Sequence, residues 1–483
     1  MNGSRGLARV HTGHKTLIGF WAALLLSVGS AVGSDDLRLI EAVKHQDHTL
    51  IRRLLDEKTD VRASGPDGAT ALHWAVYHDD LETVRLLIRA QADVQAANDL
   101  GVVPLSLAAT NGSAAVIEAL LTAGAKPNAA LPSGETVLLT AARTGRVESA
   151  RVLLDAGANI EAKESSRGQT ALMWAASEQH LEMIRLLIER GADIHGRSNL
   201  GYTALLFGSR GGDIDVVRLL LAHGAGVNDA ASDGTTALLM ATVRGHIELA
   251  ELLLDQGADP NVNAAGYTPL HWAAGKWETQ LTQFFDPNPD MAVLSGVAPS
   301  KKLDFIKALL THGADPNIRI QKQPPRYGLN LYRLQLIGST PFLLAAHAGD
   351  TSVMRLLLAN GADPLLATNE QVTPLMVAAG NGRSLGETVV TDSMALEAFK
   401  LCLALGADVN AVSTQGETAL HAVAFSGIEE IARMLLDLGV DLNPKNKRGE
   451  TPLKVAEGTV YALMVYSKPK IAELLRQVGA VSQ

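Results

Sequence analysis

Apolar residues recur along the chain in pairs of short helical segments, and the same polar residues separate each pair. A first segment opens on Thr followed by Pro or Ala, as in Thr-Pro-Leu-His-Trp-Ala-Ala at residues 268–274. A second segment ends in Leu-Leu-x-x-Gly, and Asp or Asn follows, as in Gly-Ala-Asp-Pro-Asn at residues 257–261. A Thr hydroxyl caps helical N–H groups, Pro at the first helical position loses no hydrogen bond, and Gly accepts the left-handed backbone that ends a helix. The pattern predicts two short helices and a turn in each unit.

This unit repeats with a period close to 33 residues. Successive marker threonines are 34, 33, 33 and 32 residues apart. They are Thr136, Thr170, Thr203, Thr236 and Thr268. The period and the two phrases closely resemble the ankyrin repeat. The resemblance implies a mostly α solenoid of about twelve helix-turn-helix repeats with β-turn or hairpin fingers, in which neighbours stack because no repeat can bury its apolar face alone.

Both ends of the ankyrin-repeat domain, which we place at residues 34–483, depart from the regular unit. Residues 34–67 have lost the first phrase and carry a polar outer face, which predicts an N-terminal cap repeat. Residues 449–483 are predicted to form the C-terminal cap repeat, with a short insertion near residues 458–469. Terminal repeats of a solenoid need such polar outer sides for solubility.

Three longer insertions interrupt the period in the C-terminal half. Residues 276–300 separate the two helices of one repeat, and residues 382–393 form another insertion. Between two repeats, residues 318–337 alternate apolar and polar side chains around Pro-Pro-Arg-Tyr-Gly, which predicts an extended β finger. Solenoid insertions often lie on the binding face, so a special site is expected within residues 276–337.

The first 33 residues have the order of a secretory signal peptide. Basic residues precede a short apolar run at residues 17–28, and small residues follow it. The run is short for a membrane span, which needs about 20 apolar residues. We expect residues 1–33 to be cleaved and the protein to reach a bacterial periplasm or the extracellular space. An uncleaved signal would instead tether it to the membrane.

Composition restricts the partners and the chemistry. The formal net charge is −9, which disfavours nucleic acid as a partner because phosphate binding needs a basic face. The single cysteine, Cys402, excludes an intramolecular disulfide and lies in an apolar helical stretch, where a buried, inert thiol is expected. No nucleophile elbow, phosphate-binding loop or His-Glu-x-x-His motif occurs, so no catalytic residue, cofactor or metal is predicted.

Histidine and tryptophan at repeat spacing favour structural roles. In ankyrin repeats, the histidine found here as His73, His271 and His421 usually fixes a backbone loop by hydrogen bonds. Trp74, Trp174 and Trp272 share the next position and are expected in the core. His45 and His48 have metal-like spacing, but no third ligand is near them in the sequence, which favours a solvated helix face.

The resemblance also implies where a partner would bind. Partners of ankyrin proteins usually contact the turn tips and the exposed end of the first helix, along the concave side. The turn-tip candidates are Asn199, Tyr202, Tyr267 and Lys447, and the helix-end candidates are Tyr77, Arg143, Arg210, Arg244, Lys276, His347 and Phe425. The arginines could form a basic strip. The finger adds Arg319, Lys322, Arg326, Tyr327, Tyr332 and Arg333, although it could also simply cover a neighbouring repeat.

Together these observations predict an exported, monomeric, non-catalytic scaffold that binds another protein through its concave face and finger. Two alternatives stay open at this point. The protein could be a dedicated inhibitor or immunity-type partner of one exported enzyme. It could also bind a small ligand, or act as an enzyme, through the insertions at residues 276–337.

Overall fold

The computed structural model of the protein describes residues 37–275, 297–323, 335–381, 390–461 and 464–482. The chain divides into two compact units, Met1–Pro132 and Ser133–Gln483. Within the described ranges twelve helix pairs follow one another, which confirms the expected number of about twelve repeats. The predicted signal peptide, residues 1–33, lies outside these ranges. We call the first helix of each pair the inner helix and the second the outer helix.

The first unit contains three helix pairs. Its inner helices are α1 (Arg38–Lys44), α3 (Ala71–Tyr77) and α5 (Pro104–Asn111). Its outer helices are α2 (His48–Asp56), α4 (Leu81–Arg89) and α6 (Ala114–Thr122). The first pair, α1 and α2, lies within the range predicted for the N-terminal cap repeat.

The second unit contains the other nine pairs. Its inner helices are α7 (Val137–Arg143), α9 (Ala171–Ser177), α11 (Ala204–Gly211), α13 (Ala237–Val243), α15 (Pro269–Ala274), α17 (Pro341–His347), α19 (Pro374–Ala378), α21 (Ala419–Ser426) and α23 (Pro452–Glu457). Its outer helices are α8 (Val147–Asp155), α10 (Leu181–Glu189), α12 (Ile214–Ala222), α14 (Ile247–Asp255), α16 (Lys302–Thr311), α18 (Thr351–Ala359), α20 (Asp392–Ala404), α22 (Glu429–Asp437) and α24 (Pro469–Gln477). An antiparallel pair, β1 (Thr459–Tyr461) and β2 (Met464–Tyr466), separates α23 from α24 and sets Val460 opposite Val465.

The repeated phrases have the local roles that the sequence predicts. Thr136 Oγ1 accepts the Leu139 N–H at 3.3 Å, and Thr236 Oγ1 accepts the Leu239 N–H at 3.2 Å. Pro opens α15, α17, α19 and α23, where its missing N–H costs no hydrogen bond. After α14, Gly257 has a φ of 85°, the left-handed conformation that ends the helix.

Alanine and leucine fill the core between repeats. In the second unit, each inner helix packs against the inner helix of the next repeat and against its own outer helix. Leu238, Ala241 and Leu253 are fully buried in one such repeat. Because alanine is small, adjacent inner helices can approach closely, and each repeat depends on its neighbours for burial.

Hydrogen bonds link each turn to the next. At the turn tips, the Asn199 N–H donates to the Arg167 carbonyl at 2.8 Å. In the turns that follow the outer helices, Asn261 Oδ1 accepts the Asp315 N–H and Asn261 Nδ2 donates to the Gly313 carbonyl, both at 2.7 Å. Polar turn residues therefore satisfy backbone groups of the following repeat.

The insertions are described only in part. Residues 276–296, 324–334 and 382–389 lie outside the described residues, and with them most of the three longer insertions. The helix α20 begins at Asp392, inside the range predicted as the third insertion, and has 13 residues where the preceding outer helix, α18, has 9. The Thr391 hydroxyl accepts the Met394 N–H at 3.2 Å and so starts this helix earlier than the repeat spacing predicts.

Candidate functional site

Three buried histidines connect the start of an inner helix to the next repeat. In His271, Nδ1 accepts the Thr268 N–H at 3.1 Å and Nε2 lies 3.0 Å from the Ile318 carbonyl oxygen. His73 and His421 make the same contacts, with Val102 and Glu450 as the carbonyl partners. Burial lowers the pKa of all three imidazoles, that of His271 to about 4. These histidines therefore have the structural role that the sequence predicts.

The tryptophans at the next position divide between core and surface. Trp272 is 2% exposed, as expected of a core residue. Trp74 and Trp174 are only half-buried. The prediction of a core position is therefore wrong for Trp74 and Trp174, whose rings keep part of their surface open to solvent.

Bulky side chains occupy one position on four successive inner helices of the second unit. Trp174, Phe207, Met240 and Trp272 each follow the N-cap Thr of their helix by four residues, on α9, α11, α13 and α15. Two tyrosines from the preceding turns lie against them. The Tyr202 and Phe207 rings are 5.6 Å apart, and the Tyr267 and Trp272 rings 5.9 Å apart. We call Trp174, Tyr202, Phe207, Met240, Tyr267 and Trp272 the inner row.

Neighbouring charges act on Tyr202. Burial raises the pKa of this phenol above its ordinary value, and the negative charge of Asp233 adds to the rise, whereas Arg210 opposes it. Tyr202 therefore stays a neutral phenol, with its hydroxyl near an acidic and a basic side chain. The hydroxyl already hydrogen-bonds within the protein, to the Thr235 and Asp233 side chains, so the ring supplies the apolar area that a partner could cover.

Arginines lie beside the inner row, but they do not form the continuous strip that the sequence suggests. Arg143 and Arg210 lie in the last turns of α7 and α11, whereas Arg244 follows α13 as its C-cap. Between the first two, α9 carries Ser177 at the same position. The guanidinium of Arg143 is 3.1 Å from Glu135 Oε1 and 6.0 Å from the Trp174 ring, so its charge is largely compensated. The arginines are thus separate contacts within an aromatic surface.

Tyr77 belongs to the first unit and is the most exposed of the helix-end candidates that the structure describes. It is 45% exposed, at the end of α3, and its ring packs edge-on against Trp74 with centroids 5.7 Å apart. The Lys44 ammonium lies 4.9 Å from the centroid of the Trp74 ring. His347 and Phe425, at the ends of α17 and α21, are half-buried and make contacts within the protein.

The described part of the finger uses its basic residues to hold neighbouring repeats. Arg319 Nη1 donates to the Ala367 carbonyl at 3.1 Å, and Lys322 Nζ donates to the Ala264 carbonyl at 3.0 Å. Ile320 is 1% exposed, and its N–H donates to the Ser339 carbonyl at 3.0 Å. The base of the finger therefore covers adjacent turns, which was the alternative to a role in partner binding. The remaining candidates Lys276, Arg326, Tyr327, Tyr332 and Arg333 lie outside the described residues.

The turn-tip candidates Asn199 and Lys447 are both exposed. The Lys447 N–H donates to the Gln415 carbonyl at 2.8 Å, as the Asn199 N–H does to Arg167. Their backbones thus belong to the hydrogen-bond ladder between turns, and Asn199 Nδ2 also donates to the Ser166 carbonyl at 3.4 Å.

Metal-ligating side chains are not clustered in the part of the chain that the structure describes. No group of three or more His, Cys, Asp or Glu side chains there could hold a metal ion. His45 and His48 are exposed on the first helix pair. Cys402 is buried, and burial raises the pKa of its thiol to about 12, so it stays an unreactive thiol. Among the described helices, none is both long and apolar enough to span a bilayer.

Comparison with known families identifies the class of protein. A family model described as ankyrin repeats in three copies matches residues 39–130, 105–198, 140–231, 205–284, 294–391 and 388–475. The chain belongs to the ankyrin-repeat family. Ankyrin repeats typically mediate protein–protein interaction, and the fold is generally non-catalytic.

Two individual proteins show the extent of the similarity. The chain is 34% identical over 97 residues to a transient receptor potential cation channel subfamily A member 1 homolog from Caenorhabditis elegans. That match covers 20% of this chain and 7% of the channel, so the chain spans only a small part of that relative. A solved structure, the ankyrin repeat domain of Bcl-3, a member of the IkappaB family, matches with a TM-score of 0.39 and 34% identity over 42% of this chain and 93% of that one. The family assignment rests on the family model.

Proposed function

We propose that this chain is a non-catalytic scaffold that binds another protein through the inner row and the turn tips beside it. The observation that carries the proposal is the inner row itself. Half-buried Trp174, Tyr202 and Tyr267 place aromatic surface beside α9, α11 and α15, half-buried Met240 adds apolar surface on α13, and Phe207 and Trp272 are buried. Trp, Tyr and Arg dominate the binding energy of protein interfaces, because they bury large area at a low entropic cost.

The arginines fit this role as directional contacts. Arg210 and Arg244 lie in the repeats that supply Phe207 and Met240, and both are half-buried. A partly buried guanidinium holds its fork in place and so loses less entropy when it binds a partner's carboxylate or carbonyl. We propose that the finger, residues 318–337, also contacts the partner protein, outside the inner row. The acidic net charge of −9 disfavours nucleic acid as the partner.

Capture from the native host tests the proposal. The bait is the full chain. It is compared with Arg210→Ala/Tyr267→Ala, called the inner-row variant, which removes Tyr267 of the inner row and the arginine beside Phe207. The matched control is Arg218→Ala/Leu303→Ala, which removes an exposed arginine and leucine from outer helices of the same two repeats. A protein that the wild type and the control retain, and the inner-row variant loses, supports the proposal. A protein retained equally by all three baits, or none retained by any, would contradict it.

The captured protein would also decide between a general scaffold and a dedicated inhibitor. An exported enzyme bound at one-to-one stoichiometry, and inhibited by the chain, would narrow the function to an inhibitor or immunity-type partner. We expect the chain itself to be a monomer in either case.

We further propose that the protein is exported after cleavage near Ser34, to a bacterial periplasm or the medium. The order of basic, apolar and small residues over 1–33 supports this. N-terminal sequencing of protein isolated from the exported fraction should read from Ser34 or close to it. An intact Met1 in the cytoplasmic fraction would argue against export, and an intact Met1 in the membrane fraction would mean a tether.

A further inference from the structure

Two side-chain positions in each repeat decide how much of the inner row is open to a partner. One is the fourth residue after the N-cap Thr, which carries the bulky side chains Trp174, Phe207, Met240 and Trp272. The other is the residue just before the N-cap Thr. On α9, α11, α13 and α15 in turn it is Gln169, Tyr202, Thr235 and Tyr267. Apolar residues at these two positions of a helix start often pack against each other.

Where a tyrosine stands before the N-cap, it covers the bulky side chain of its repeat. The Tyr202 ring lies 5.6 Å from the Phe207 ring, and the Tyr267 ring lies 5.9 Å from the Trp272 ring. Phe207 is only 7% exposed and Trp272 only 2%. The repeats of α11 and α15 therefore present their tyrosines to a partner, and not the rings behind them.

The repeats of α9 and α13 lack a tyrosine before the N-cap. Trp174 follows Gln169 and Met240 follows Thr235, and both Trp174 and Met240 are half-buried. Threonine is too short to cover a methionine side chain, and the Thr235 hydroxyl is hydrogen-bonded to the tyrosine of the preceding repeat. Val243, one turn further along α13, is half-buried as well. We call Trp174 and Met240 the uncovered positions.

The spacing of the uncovered positions suits an extended chain. The helices α9, α11 and α13 pack in this order. Packed helices lie about 8–10 Å apart, so Trp174 and Met240 are about 16–20 Å apart. An extended chain rises about 3.3 Å per residue and places alternate side chains on one side. Two side chains about six residues apart in such a chain face the same way and span about 20 Å, which matches both positions.

Charges beside the uncovered positions favour a carboxylate between the two side chains. Six acidic or basic residues belong to the turn tips and inner-helix ends of these three repeats. They are Glu164, Arg167, Glu178, Arg210, Asp233 and Arg244. Glu164 is buried, and its carboxylate accepts the N–H groups of its own turn. Among the others, three arginines face two acids, in a chain whose net charge is −9.

Arg210 has the position that a central carboxylate needs. It lies in the last turn of α11, the helix between those that carry Trp174 and Met240. Because Arg210 and Asp233 both act on Tyr202, a carboxylate there meets a mixed field, but only the guanidinium attracts it. Complementary charge of this kind fixes the register of a bound segment more than it adds affinity.

We propose that the inner row binds an extended segment of its partner that carries two apolar side chains about six residues apart and a carboxylate between them. One apolar side chain packs on Trp174, the other on Met240 and Val243, and the carboxylate lies near Arg210. The inference rests on the proposed function, because it names the chemistry of the segment that the inner row would bind.

Adding the missing tyrosine tests the proposal on the full chain. Thr235→Tyr should cover Met240, as the tyrosines of α11 and α15 cover their rings, while it adds aromatic area to the inner row. A surface that binds through aromatic area alone would bind as well or better, whereas the proposal predicts weaker binding. The matched control is Thr235→Ala, which also removes the hydroxyl bonded to Tyr202 but leaves Met240 open, and should keep the wild-type Kd.

The probe is a labelled peptide of about eleven residues, long enough to span both positions when extended. It has leucine at its third and ninth positions, glutamate at its fifth and seventh, and serine or glycine elsewhere, and anisotropy measures its Kd. It should bind at least about tenfold tighter than a peptide with alanine in place of both leucines. Thr235→Tyr should weaken it about tenfold, and glutamine in place of both glutamates should weaken it and reduce its salt dependence.

Several results would overturn the proposal. Equal Kd values for the leucine and alanine peptides, or equal Kd values of the leucine peptide for wild type and Thr235→Tyr, would refute the uncovered positions. If circular dichroism shows Thr235→Tyr to be unfolded, Met240→Ser replaces it and must weaken the leucine peptide. A captured protein that the inner-row variant releases and Thr235→Tyr retains would refute this inference alone. Peptide results as predicted, with no captured protein that depends on the inner row, would instead contradict the proposed function.

Discussion

Gly257 and Gly234 share a left-handed backbone, with φ of 85° and 89°, but an added methyl group would meet different surroundings. A Cβ at Gly257 has no heavy atom within 4 Å, whereas one at Gly234 would lie 2.2 Å from the Ala264 carbonyl carbon. Gly257→Ala should therefore lower the free energy of unfolding by the backbone cost alone, about 1–2 kcal/mol. Gly234→Ala should lower it further, because Ala264 must shift. Chemical unfolding of both variants measures this, and a neutral Gly257→Ala would mean that the helix end is misplaced.

His271 makes stability depend on pH. It is fully buried, and burial lowers its pKa to about 4, below the ordinary 6.5, although hydrogen bonds to the Ile318 and Ser339 backbones oppose the shift. The neutral ring is therefore the stabilising form. Its contribution is complete above pH 6.5 and is lost as pH falls from there toward 4.

The matched variant isolates this effect. His271→Ala should be destabilised at neutral pH, and its deficit relative to wild type should shrink by about 3 kcal/mol by pH 4, from a pKa difference of 2.5. Denaturant titrations of both proteins at a series of pH values give this difference in the free energy of unfolding. The contributions of the other histidines cancel, because both proteins contain them. A deficit that does not change with pH would show that protonation of His271 is not coupled to folding.

Single residues show which contacts can be predicted from the sequence and which cannot. The ankyrin resemblance predicts that His271 fixes a backbone loop by hydrogen bonds, and its contacts with Thr268 and Ile318 confirm that role. The contact between Arg143 and Glu135 was not predicted, since it joins a turn to the far end of a helix. The same is true of the half-exposed Trp174, whose neighbours belong to other repeats.

At the level of the turns, one substitution should repair an interrupted ladder. Asn317 and Leu365 both follow Asp-Pro at the same place in the repeat, but only Asn317 bonds the next turn, at 2.7 Å to the Asp363 N–H and 2.9 Å to the Gly361 carbonyl. Leu365→Asn should raise the free energy of unfolding by about 1 kcal/mol, and Asn317→Leu should lower it by about as much. Thermal melts of both variants should therefore shift in opposite directions. A shift of the same sign in both would refute the ladder as their cause.

The observed helices agree with the sequence prediction where the repeat period is regular, and they differ from it at the insertions. Caps and apolar spacing predict the helix pairs from α7 to α14, because each repeat sees the same neighbours. The start of α20 at Asp392 was missed, since the Thr391 cap lies outside the repeated phrase. The pair of β1 and β2 was also missed, because the sequence there shows only an excess of residues.

For the whole molecule, the sequence predicts the class of fold but not its binding surface. Repeat spacing predicts a core position for the three tryptophans, which is confirmed for Trp272, whereas Trp174 is half-exposed, as is Met240 at the same position. The neighbouring turns, such as those that carry Tyr202 and Tyr267, decide which side chains of the inner row are buried.

The affinity of the captured protein for the purified chain tests the central claim most directly. We would titrate it against wild type, Arg210→Ala/Tyr267→Ala and the outer-helix control Arg218→Ala/Leu303→Ala, and compare the three Kd values. Interface aromatic and arginine residues each contribute about 1–2 kcal/mol or more, so the inner-row variant should bind at least about tenfold more weakly, with the control unchanged. Equal Kd values for the inner-row variant and wild type would contradict the assignment of the inner row as the binding surface.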